Sequence, residues 1–286
     1  MRVRKAVIPA AGLGTRCLPL TKAVPKELLP IFNLPAIQRI AEEAVDSGLD
    51  TIVLVTGPDK AAIEHHFESN ARLERRLATR PDLLESVQRP ASLCQIATAP
   101  QDEPLGLGHA VGCAAEAVGN EPFAVMLPDD LVLGLQPALA PLLALYEATG
   151  KGVVLLMDVP REDTARYGVV DGDIDEKGVV HIRGLVEKPK PEEAPSTLAI
   201  VGRYVFPPSI FDRIRETTPG ALGEIQLTDA MQGLAQEEGM LGLMIEGIRL
   251  DTGTPLGLLR AALHYAVAED ADHLEQIQKW VAELSP

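Results

Sequence analysis

The chain has little cysteine, no long apolar run and an excess of acidic over basic residues. Its three cysteines, Cys17, Cys94 and Cys113, lie far apart without a Cys-x-x-Cys pair, which argues against a disulfide framework and a zinc site. No apolar stretch approaches the roughly 20 residues that a membrane helix needs, so no membrane association is expected. The first residues, Met-Arg-Val-Arg-Lys, lack the apolar run and cleavage site of a signal peptide, so we expect a cytoplasmic protein.

The charge balance and two missing signatures exclude further functional classes. The sequence has 26 basic and 41 acidic residues, a formal net charge of −15. Nucleic-acid binding rests on a basic face, so no nucleic-acid partner is expected, although a few placed cations can still bind a small anion. Gly-x-Ser-x-Gly is absent, and the six histidines show no metal-ligand spacing. These absences favour a chemistry that needs no protein nucleophile.

The order of apolar runs and helix-length segments predicts an α/β fold. In the first half, apolar strands alternate with helices, which is typical of a Rossmann-like, right-handed, doubly wound sheet flanked by helices. After Lys151 the predicted strands come closer together and are separated by turns, which indicates an inserted antiparallel β section in a mixed sheet. We predict a single domain over residues 1–286, with a split near Lys151 as the alternative.

Individual elements follow from local patterns. The predicted strands begin at Val7 and span 51–55, 93–97, 123–127, 153–159, 168–171, 179–187 and 198–206. The predicted helices span 35–47, 60–80, 108–118, 208–216, 225–237 and 255–268, with a further helical region at the C-terminal end. Pro81 is expected to break the helix over 60–80.

A glycine-rich loop follows the first predicted strand. Residues 5–16 read Lys-Ala-Val-Ile-Pro-Ala-Ala-Gly-Leu-Gly-Thr-Arg. Glycines allow backbone N–H groups to turn towards an anion, and Arg16 and Lys26 add positive charges suited to a polyphosphate. Cys17 stands where a dinucleotide-binding loop has its third glycine, and the Gly-Lys-Ser/Thr of a P-loop is absent. The pattern therefore predicts a third kind of phosphate-binding loop.

Several carboxylates follow predicted strands, where open α/β sheets bind ligands. Asp129 and Asp130 follow the strand at 123–127, and Asp251 follows a short apolar run. Such carboxylates suit Mg²⁺, a hard ion that prefers oxygen ligands, but Asp129 or Asp130 as a cap and Asp251 in a turn remain alternatives. Glu187 and Lys188 end another strand and suit a sugar hydroxyl and a phosphate, or they are solvated loop charges.

An ordered series of motifs resembles the bacterial UTP–glucose-1-phosphate uridylyltransferases (UDP-glucose pyrophosphorylases), which belong to the sugar nucleotidyltransferases. The resemblance runs from Lys5 to about Gly257. The motifs are Ala-Gly-Leu-Gly-Thr-Arg at 11–16, Leu-Pro-Leu-Thr-Lys-Ala at 18–23, Pro-Lys-Glu-Leu-Leu-Pro at 25–30, Gly-Leu-Gly-His-Ala-Val at 106–111, Leu-Pro-Asp at 127–129, Tyr-Gly-Val-Val at 167–170, Val-Glu-Lys-Pro-Lys at 186–190, Ala-Ile-Val-Gly-Arg-Tyr-Val at 199–205 and Gly-Glu-Ile-Gln-Leu-Thr-Asp-Ala at 223–230.

The resemblance implies a reaction and its partners. UTP and α-D-glucose 1-phosphate give UDP-glucose and pyrophosphate with Mg²⁺, by in-line attack of the sugar phosphate on the α-phosphorus. It also implies a homodimer or homotetramer. The implied fold is of the nucleotide-diphospho-sugar transferase type. In such a fold the nucleotide would bind to residues of about 1–150, and residues of about 151–257 would bind the sugar and supply a second metal carboxylate. A C-terminal helical region would span about 258–286.

The resemblance also implies roles for matched residues. Arg16, Lys26 and Lys188 would bind the reacting phosphates as the catalytic cations. The implied nucleotide-binding residues are Ala11, Gly12, Gly14, Gln101 and Gly106. The implied sugar-binding residues are Glu27, Gly168, Glu187 and Gly202, and the implied metal ligands are Asp129 and Asp251.

Three departures from the family pattern keep alternatives open. Leu105 replaces a common lysine, Asp130 stands where an apolar residue is frequent, and residues 251–255 read Asp-Thr-Gly-Thr-Pro, as in the thymidylyltransferases. A thymidylyltransferase, or a uridylyltransferase for another sugar 1-phosphate, is therefore the main alternative. A silent nucleotide-sugar binding protein and a Rossmann oxidoreductase are others, and the absent third glycine disfavours the oxidoreductase.

Overall fold

Strands and helices alternate along the chain in the computed structural model, which describes residues 1–220 and 223–284. The strands are β1 Lys5–Pro9, β2 Pro30–Ile31, β3 Leu34–Pro35, β4 Thr51–Thr56, β5 Gln95–Pro100, β6 Phe123–Met126, β7 Asp130–Leu133, β8 Gly152–Asp158, β9 Gly168–Ile174, β10 Val179–Glu187, β11 Leu198–Phe206, β12 Met240–Met244 and β13 Ile248–Asp251. The α-helices are α1 Ala36–Asp46, α2 Ala61–His66, α3 Ala71–Leu77, α4 Pro81–Ser92, α5 Leu107–Cys113, α6 Ala115–Val118, α7 Ala140–Thr149, α8 Ile210–Glu216, α9 Leu227–Glu237, α10 Pro255–Glu269 and α11 His273–Glu283. Short 3₁₀ helices span Thr15–Cys17, Leu20–Lys22, Lys26–Leu28 and Arg161–Arg166. None of the helices in the described part of the chain is long and apolar enough to cross a membrane.

Within the described residues, nine strands form one mixed sheet in the order β5-β4-β1-β6-β11-β8-β12-β10-β9. The neighbours β5, β4, β1 and β6 run parallel, whereas β11 runs antiparallel to both β6 and β8. At the far edge, β9 and β10 form an antiparallel pair. The predicted α/β class, with a doubly wound mixed sheet and an inserted antiparallel section, is therefore confirmed.

Apolar side chains fill both faces of this sheet because successive strand residues point to opposite sides. In β1, Ala6 and Ile8 pack into one core, while Val7 packs into the other. Helices α1 and α7 supply side chains to the first core, and α5, α8 and α9 supply them to the second. Burial on both faces explains why the parallel strands read as continuous apolar runs.

The helical region over 60–92 differs from its prediction. The structure divides it into α2, α3 and α4, and the side chain of Asn70 begins α3 by accepting the N–H of Leu73 at 3.1 Å. Pro81 begins α4 rather than ending a helix, because the first helical turn needs no N–H donor. The prediction of one helix over 60–80, broken by Pro81, was wrong.

The fold brings the carboxyl ends of several strands to one edge of the sheet. The segments after β1, β5 and β6 carry the glycine-rich loop, Gln101 and Asp129, respectively. A small antiparallel sheet of β7 and β13 lies beside them and pairs Asp130 with Asp251. The glycine-rich loop, Gln101, Asp129 and Asp251 therefore converge on this edge.

Candidate active site

The glycine-rich loop folds into a tight turn that carries Arg16. Gly14 adopts φ 63°, the left-handed region that glycine tolerates, and begins the 3₁₀ helix Thr15–Cys17. Its carbonyl oxygen accepts the N–H of Cys17 at 3.0 Å and the hydroxyl of Thr21 at 2.9 Å. These bonds fix the backbone around Arg16.

An ion pair joins this loop region to the end of β6. Lys26 Nζ donates to Asp129 Oδ2 at 2.7 Å, and both side chains are less than one third exposed. Burial alone would lower the pKa of Lys26, but the carboxylates of Asp129 and Glu27 outweigh it and raise that pKa. Burial alone would raise the pKa of Asp129, but Lys26, together with a backbone hydrogen bond and Arg16, lowers that pKa. Both groups are therefore charged around neutral pH.

We expect Lys26→Met to change how stability responds to acid. In the wild-type chain, the stabilising contribution of Asp129 is present above its unfolded pKa and is lost as the pH falls through its lowered folded pKa. Without the lysine, burial raises the pKa of Asp129. Protonation of Asp129 at low pH then stabilises the variant, because it removes an unpaired buried charge. Urea unfolding at about pH 7 and about pH 3 measures the free energy of unfolding of both proteins. The difference in this free energy between wild type and Lys26→Met should be smaller at the lower pH by on the order of 1 kcal/mol. The exposed Lys22→Met is the control, and equal acid responses of Lys26→Met and wild type would contradict the pairing.

Two cavities meet at Asp129. The first cavity has a volume of about 310 Å³ and the second about 490 Å³, and Asp129 lines both. Among the residues lining the first cavity are Ala11, Gly12, Lys26, Gln101, Gly106 and Asp129. Among those lining the second cavity are Arg16, Asp129, Gly168, Glu187, Lys188, Gly202 and Asp251. A ligand that fills both cavities therefore passes Asp129.

The wall of the first cavity depends on a close backbone approach at Gly106. This residue has φ 105°, and a Cβ atom there would lie 2.7 Å from the carbonyl oxygen of Ile225. The neighbouring Leu105 and Gly108 exchange backbone hydrogen bonds with Ile225, at 2.8 and 2.9 Å. Across the cavity, Gln101 Nε2 lies 2.8 Å from His109 Nδ1, which orients the glutamine amide.

The strands β9 and β10 contribute residues to the second cavity. Their register pairs Glu187 with Gly168, so both residues lie at the same end of the pair. Glu187 accepts the hydroxyl hydrogen of Thr228 at 2.6 Å and lies 3.1 Å from Lys188 Nζ. The backbone N–H of Lys188 donates to the carbonyl of Tyr167 at 2.9 Å. Glu187 is thus held in place, while half of the Lys188 side chain stays exposed.

The loop after β13 ties Asp251 to Asp129. The N–H of Thr252 donates to the carbonyl oxygen of Asp129 at 2.8 Å, and Asp251 Oδ1 accepts the N–H of Gly253 at 2.9 Å. The other oxygen, Asp251 Oδ2, lies 3.9 Å from Arg166 and 4.0 Å from Arg249. Two carboxylates from separate strands thus face the same cavity.

Asp130, which departs from the family pattern, forms a buried contact instead of facing solvent. Its Oδ1 lies 2.6 Å from Arg249 Nε, and its Oδ2 accepts the N–H of Gly202 at 2.9 Å. Burial raises the pKa of Asp130 despite the opposing effect of Arg249. This carboxylate fixes the wall of the second cavity rather than capping a helix.

Two predicted site residues lie outside the linings of both cavities. Gly14 shapes the loop backbone, and Glu27 is buried, with its Oε2 accepting from Lys60 Nζ at 3.0 Å. Burial raises the pKa of Glu27 despite the opposing effects of Lys26 and Lys60. A sugar-binding role for Glu27 stays a prediction.

Sequence reasoning missed two arginines that line the second cavity. Arg166 precedes the Tyr-Gly-Val-Val motif, and Arg249 stands two residues before Asp251. Arg166 ends the 3₁₀ helix Arg161–Arg166 and Arg249 lies within β13, and each stands within two residues of a residue that the motifs had already identified. That adjacency was the available signal, although charged residues next to motifs are common.

The donor set fits a metal ion that arrives with phosphate. Across residues 1–220 and 223–284, no three His, Cys, Asp or Glu side chains are grouped closely enough to hold a metal by themselves. Asp129 and Asp251 supply two carboxylates at one cavity, and Mg²⁺ is commonly held by one or two carboxylates plus substrate phosphates. These residues therefore fit Mg²⁺ rather than a metal held by protein ligands alone.

The chain is similar to known proteins over nearly its whole length. The sequence profile of the nucleotidyl transferase family matches residues 5–267. A UTP–glucose-1-phosphate uridylyltransferase of Bacillus subtilis (strain 168) is 48% identical over 270 residues, covering 94% of this chain and 92% of the relative.

Two solved structures are also similar. A UTP-bound UGPase from Acinetobacter baumannii has a TM-score of 0.88 and 37% identity, with 99% of this chain and 100% of that chain covered. A UDP-glucose pyrophosphorylase complexed with UDP-glucose has a TM-score of 0.84 and 38% identity, with 92% of this chain and 98% of that chain covered.

Proposed function

Because the chain belongs to the nucleotidyl transferase family, we propose that it transfers UMP from UTP to α-D-glucose 1-phosphate, giving UDP-glucose and pyrophosphate. The observation that carries this proposal is the meeting of two cavities at Asp129. The nucleotide is assigned to the first cavity, beside Gln101 and Gly106, and the sugar to the second, beside Glu187. The names of the similar proteins support UTP and UDP-glucose as ligands.

The chemistry requires positioning and charge neutralisation. An oxygen of the sugar phosphate attacks the α-phosphorus of UTP in line, and pyrophosphate leaves. The nucleophile is already an anion, so no general base is needed. Lys26, at the junction, neutralises charge on the nucleotide phosphates, Arg16 holds the departing phosphates, and Lys188 binds the sugar phosphate.

We extend the proposal to Mg²⁺, held by Asp129 and Asp251. When bound, this ion would neutralise phosphate charge near the reacting centre. Lys26 pairs with Asp129 at 2.7 Å, so the same carboxylate would position both the lysine and the ion. The pairing of Asp251 Oδ1 with the N–H of Gly253 keeps that carboxylate oriented towards the cavity.

We also propose that the enzyme acts in the cytoplasm as a homodimer or homotetramer. The support is the absence of a membrane-spanning helix among the described residues, together with exposed apolar side chains on and next to the C-terminal helix α11. These side chains are Leu274, Trp280, Val281 and Leu284.

A thymidylyltransferase is the second candidate, and the Asp-Thr-Gly-Thr-Pro segment at 251–255 favours it. Thymine differs from uracil by one methyl group, which a pocket discriminates by only about 1–3 kcal/mol. Uridylyl transfer remains the better supported function, because the similar proteins named above carry uridylyl or UDP-glucose names.

Pyrophosphate release tests the choice of nucleotide. The purified protein, Mg²⁺ and glucose 1-phosphate are combined with UTP, dTTP, CTP, ATP or GTP, each at the same concentration. We expect the highest kcat/KM with UTP, because the Gln101 amide lies in the first cavity, where uracil would bind. A higher kcat/KM with dTTP would favour thymidylyl transfer. If none of the five nucleotides releases pyrophosphate, both uridylyl transfer and thymidylyl transfer are contradicted.

A further inference from the structure

One cation of the second cavity, Arg166, has no role in the proposed function. Arg166 is the last residue of the 3₁₀ helix Arg161–Arg166, and its side chain is 59% exposed. Its carboxylate contacts are long, at 3.4 Å to Asp163 and 3.9 Å to Asp251. Exposed ion pairs contribute little, so a more highly charged anion can compete for this guanidinium.

Arg166 lies beside Lys188 in the fold. The chain passes from Arg166 through Tyr167 into β9, while Lys188 follows the end of β10, and the two strands pair at Gly168 and Glu187. The N–H of Lys188 donates to the carbonyl of Tyr167 at 2.9 Å, which joins the two segments directly before the cavity. Both cationic side chains line the second cavity and are more than half exposed.

We propose that Arg166 binds the phosphate of the sugar 1-phosphate together with Lys188. The proposal rests on the proposed function and assigns it a further substrate-binding residue. A phosphate monoester carries nearly two negative charges at neutral pH, so one lysine neutralises only part of it. The planar guanidinium of Arg166 can donate to two phosphate oxygens at once, whereas Lys188 acts as a point charge.

A purely structural role for Arg166 is less well supported. Arg166 contacts two residues of the second cavity, Asp251 at 3.9 Å and the ring of Tyr167 at 5.5 Å, and Arg249 also lies over that ring, at 5.2 Å. The Asp251 carboxylate is already oriented by the N–H of Gly253 at 2.9 Å, and Arg249 lies at a similar distance, 4.0 Å. Loss of Arg166 should therefore leave the Asp251 loop in place.

The test compares Arg166→Met, Arg166→Lys and the control Arg183→Met. Arg183 is an exposed arginine of β10 that pairs with Asp171 and Asp173 and lies outside the second-cavity lining. For Arg166→Met we expect a KM for glucose 1-phosphate that rises about 10- to 100-fold, the range for a lost charge-assisted hydrogen bond, with the KM for UTP unchanged. Arg166→Lys should recover part of the loss, and Arg183→Met should match the wild type.

Calorimetric binding without turnover separates this proposal from the proposed function. Arg166→Met should bind glucose 1-phosphate and UDP-glucose more weakly than the wild type but bind UTP equally well. Equal binding of glucose 1-phosphate by both proteins, or parallel weakening for UTP, would overturn the assignment of Arg166. A wild type that binds glucose 1-phosphate but forms no UDP-glucose would contradict the proposed function while leaving the Arg166 comparison decisive.

Discussion

Asp129→Asn should lower kcat for UTP and glucose 1-phosphate by about 100- to 1,000-fold, the range for losing one preorganised electrostatic group. Asp129 is the acidic side chain at the junction of the two cavities that also pairs with Lys26, at 2.7 Å. The amide keeps the shape of the carboxylate but removes the charge that orients Lys26 and that the proposed Mg²⁺ requires. The KM values should change less than kcat, because the largest charge rearrangement occurs in the transition state.

The control for this variant is Asp212→Asn, which changes an exposed carboxylate on α8. Its kcat should equal that of the wild type. Thermal unfolding of both variants shows whether the fold is retained. A folded Asp129→Asn protein with wild-type kcat would contradict both the metal assignment and the placement of the reacting phosphates at this junction.

Arg203→Met should have the largest effect on stability, a loss of about 3–5 kcal/mol. The arginine side chain is fully buried and donates to both carboxylate oxygens of Glu43, at 2.8 and 2.6 Å. Its third nitrogen donates to the carbonyls of Asp130 and Gly202, at 2.8 and 2.9 Å. Burial would lower the pKa of Arg203, but Glu43 outweighs burial and raises it, so the guanidinium is charged. Methionine removes these hydrogen bonds, and although the Gly202 carbonyl still accepts the N–H of Leu127 at 2.9 Å, the Glu43 carboxylate loses its charged partner.

Urea unfolding and the midpoint of thermal unfolding measure this loss. The midpoint should fall by roughly 10 °C. The double variant Arg203→Met/Glu43→Gln should be more stable than Arg203→Met alone, because it removes the unpaired charge. Arg215→Met, on the exposed side of α8, is the control. If Arg203→Met does not fold, Arg203→Lys takes its place and should lose stability to a smaller extent. If Arg203→Met loses no more stability than Arg215→Met, the stabilising role of the Arg203 contacts with Glu43, Asp130 and Gly202 is contradicted.

The fold was predictable where local pattern and burial agree. The strands predicted at 179–187 and 198–206 have those bounds in β10 and β11, since long β-rich runs end at clear turns. The short pair of β7 and β13 was not predicted. Each has only four residues, and their pairing depends on a contact between distant parts of the chain. The helix over 60–80 was misread because its interruption depends on the capping side chain of Asn70 rather than on proline.

The site was predictable as a set of residue types but not as a set of contacts. Motif residues at strand ends identified Asp129, Glu187 and Lys188, which line one cavity in the structure. No local pattern predicts that Asp130 pairs with Arg249 at 2.6 Å, because such a contact depends on how β7 and β13 are placed. The sequence marked Asp130 as a carboxylate after a strand, as a possible cap and as a departure from the family pattern, but not as the partner of Arg249.

Exchange of labelled pyrophosphate into UTP tests most directly whether the sugar phosphate attacks UTP without a covalent uridylyl-enzyme. A single displacement without a protein nucleophile predicts exchange only when glucose 1-phosphate or UDP-glucose is present. The wild type with Mg²⁺, UTP and labelled pyrophosphate should therefore show no labelled UTP until glucose 1-phosphate is added. Exchange without the sugar phosphate would reveal a covalent uridylyl-enzyme. That result, or no exchange in its presence, would contradict the account.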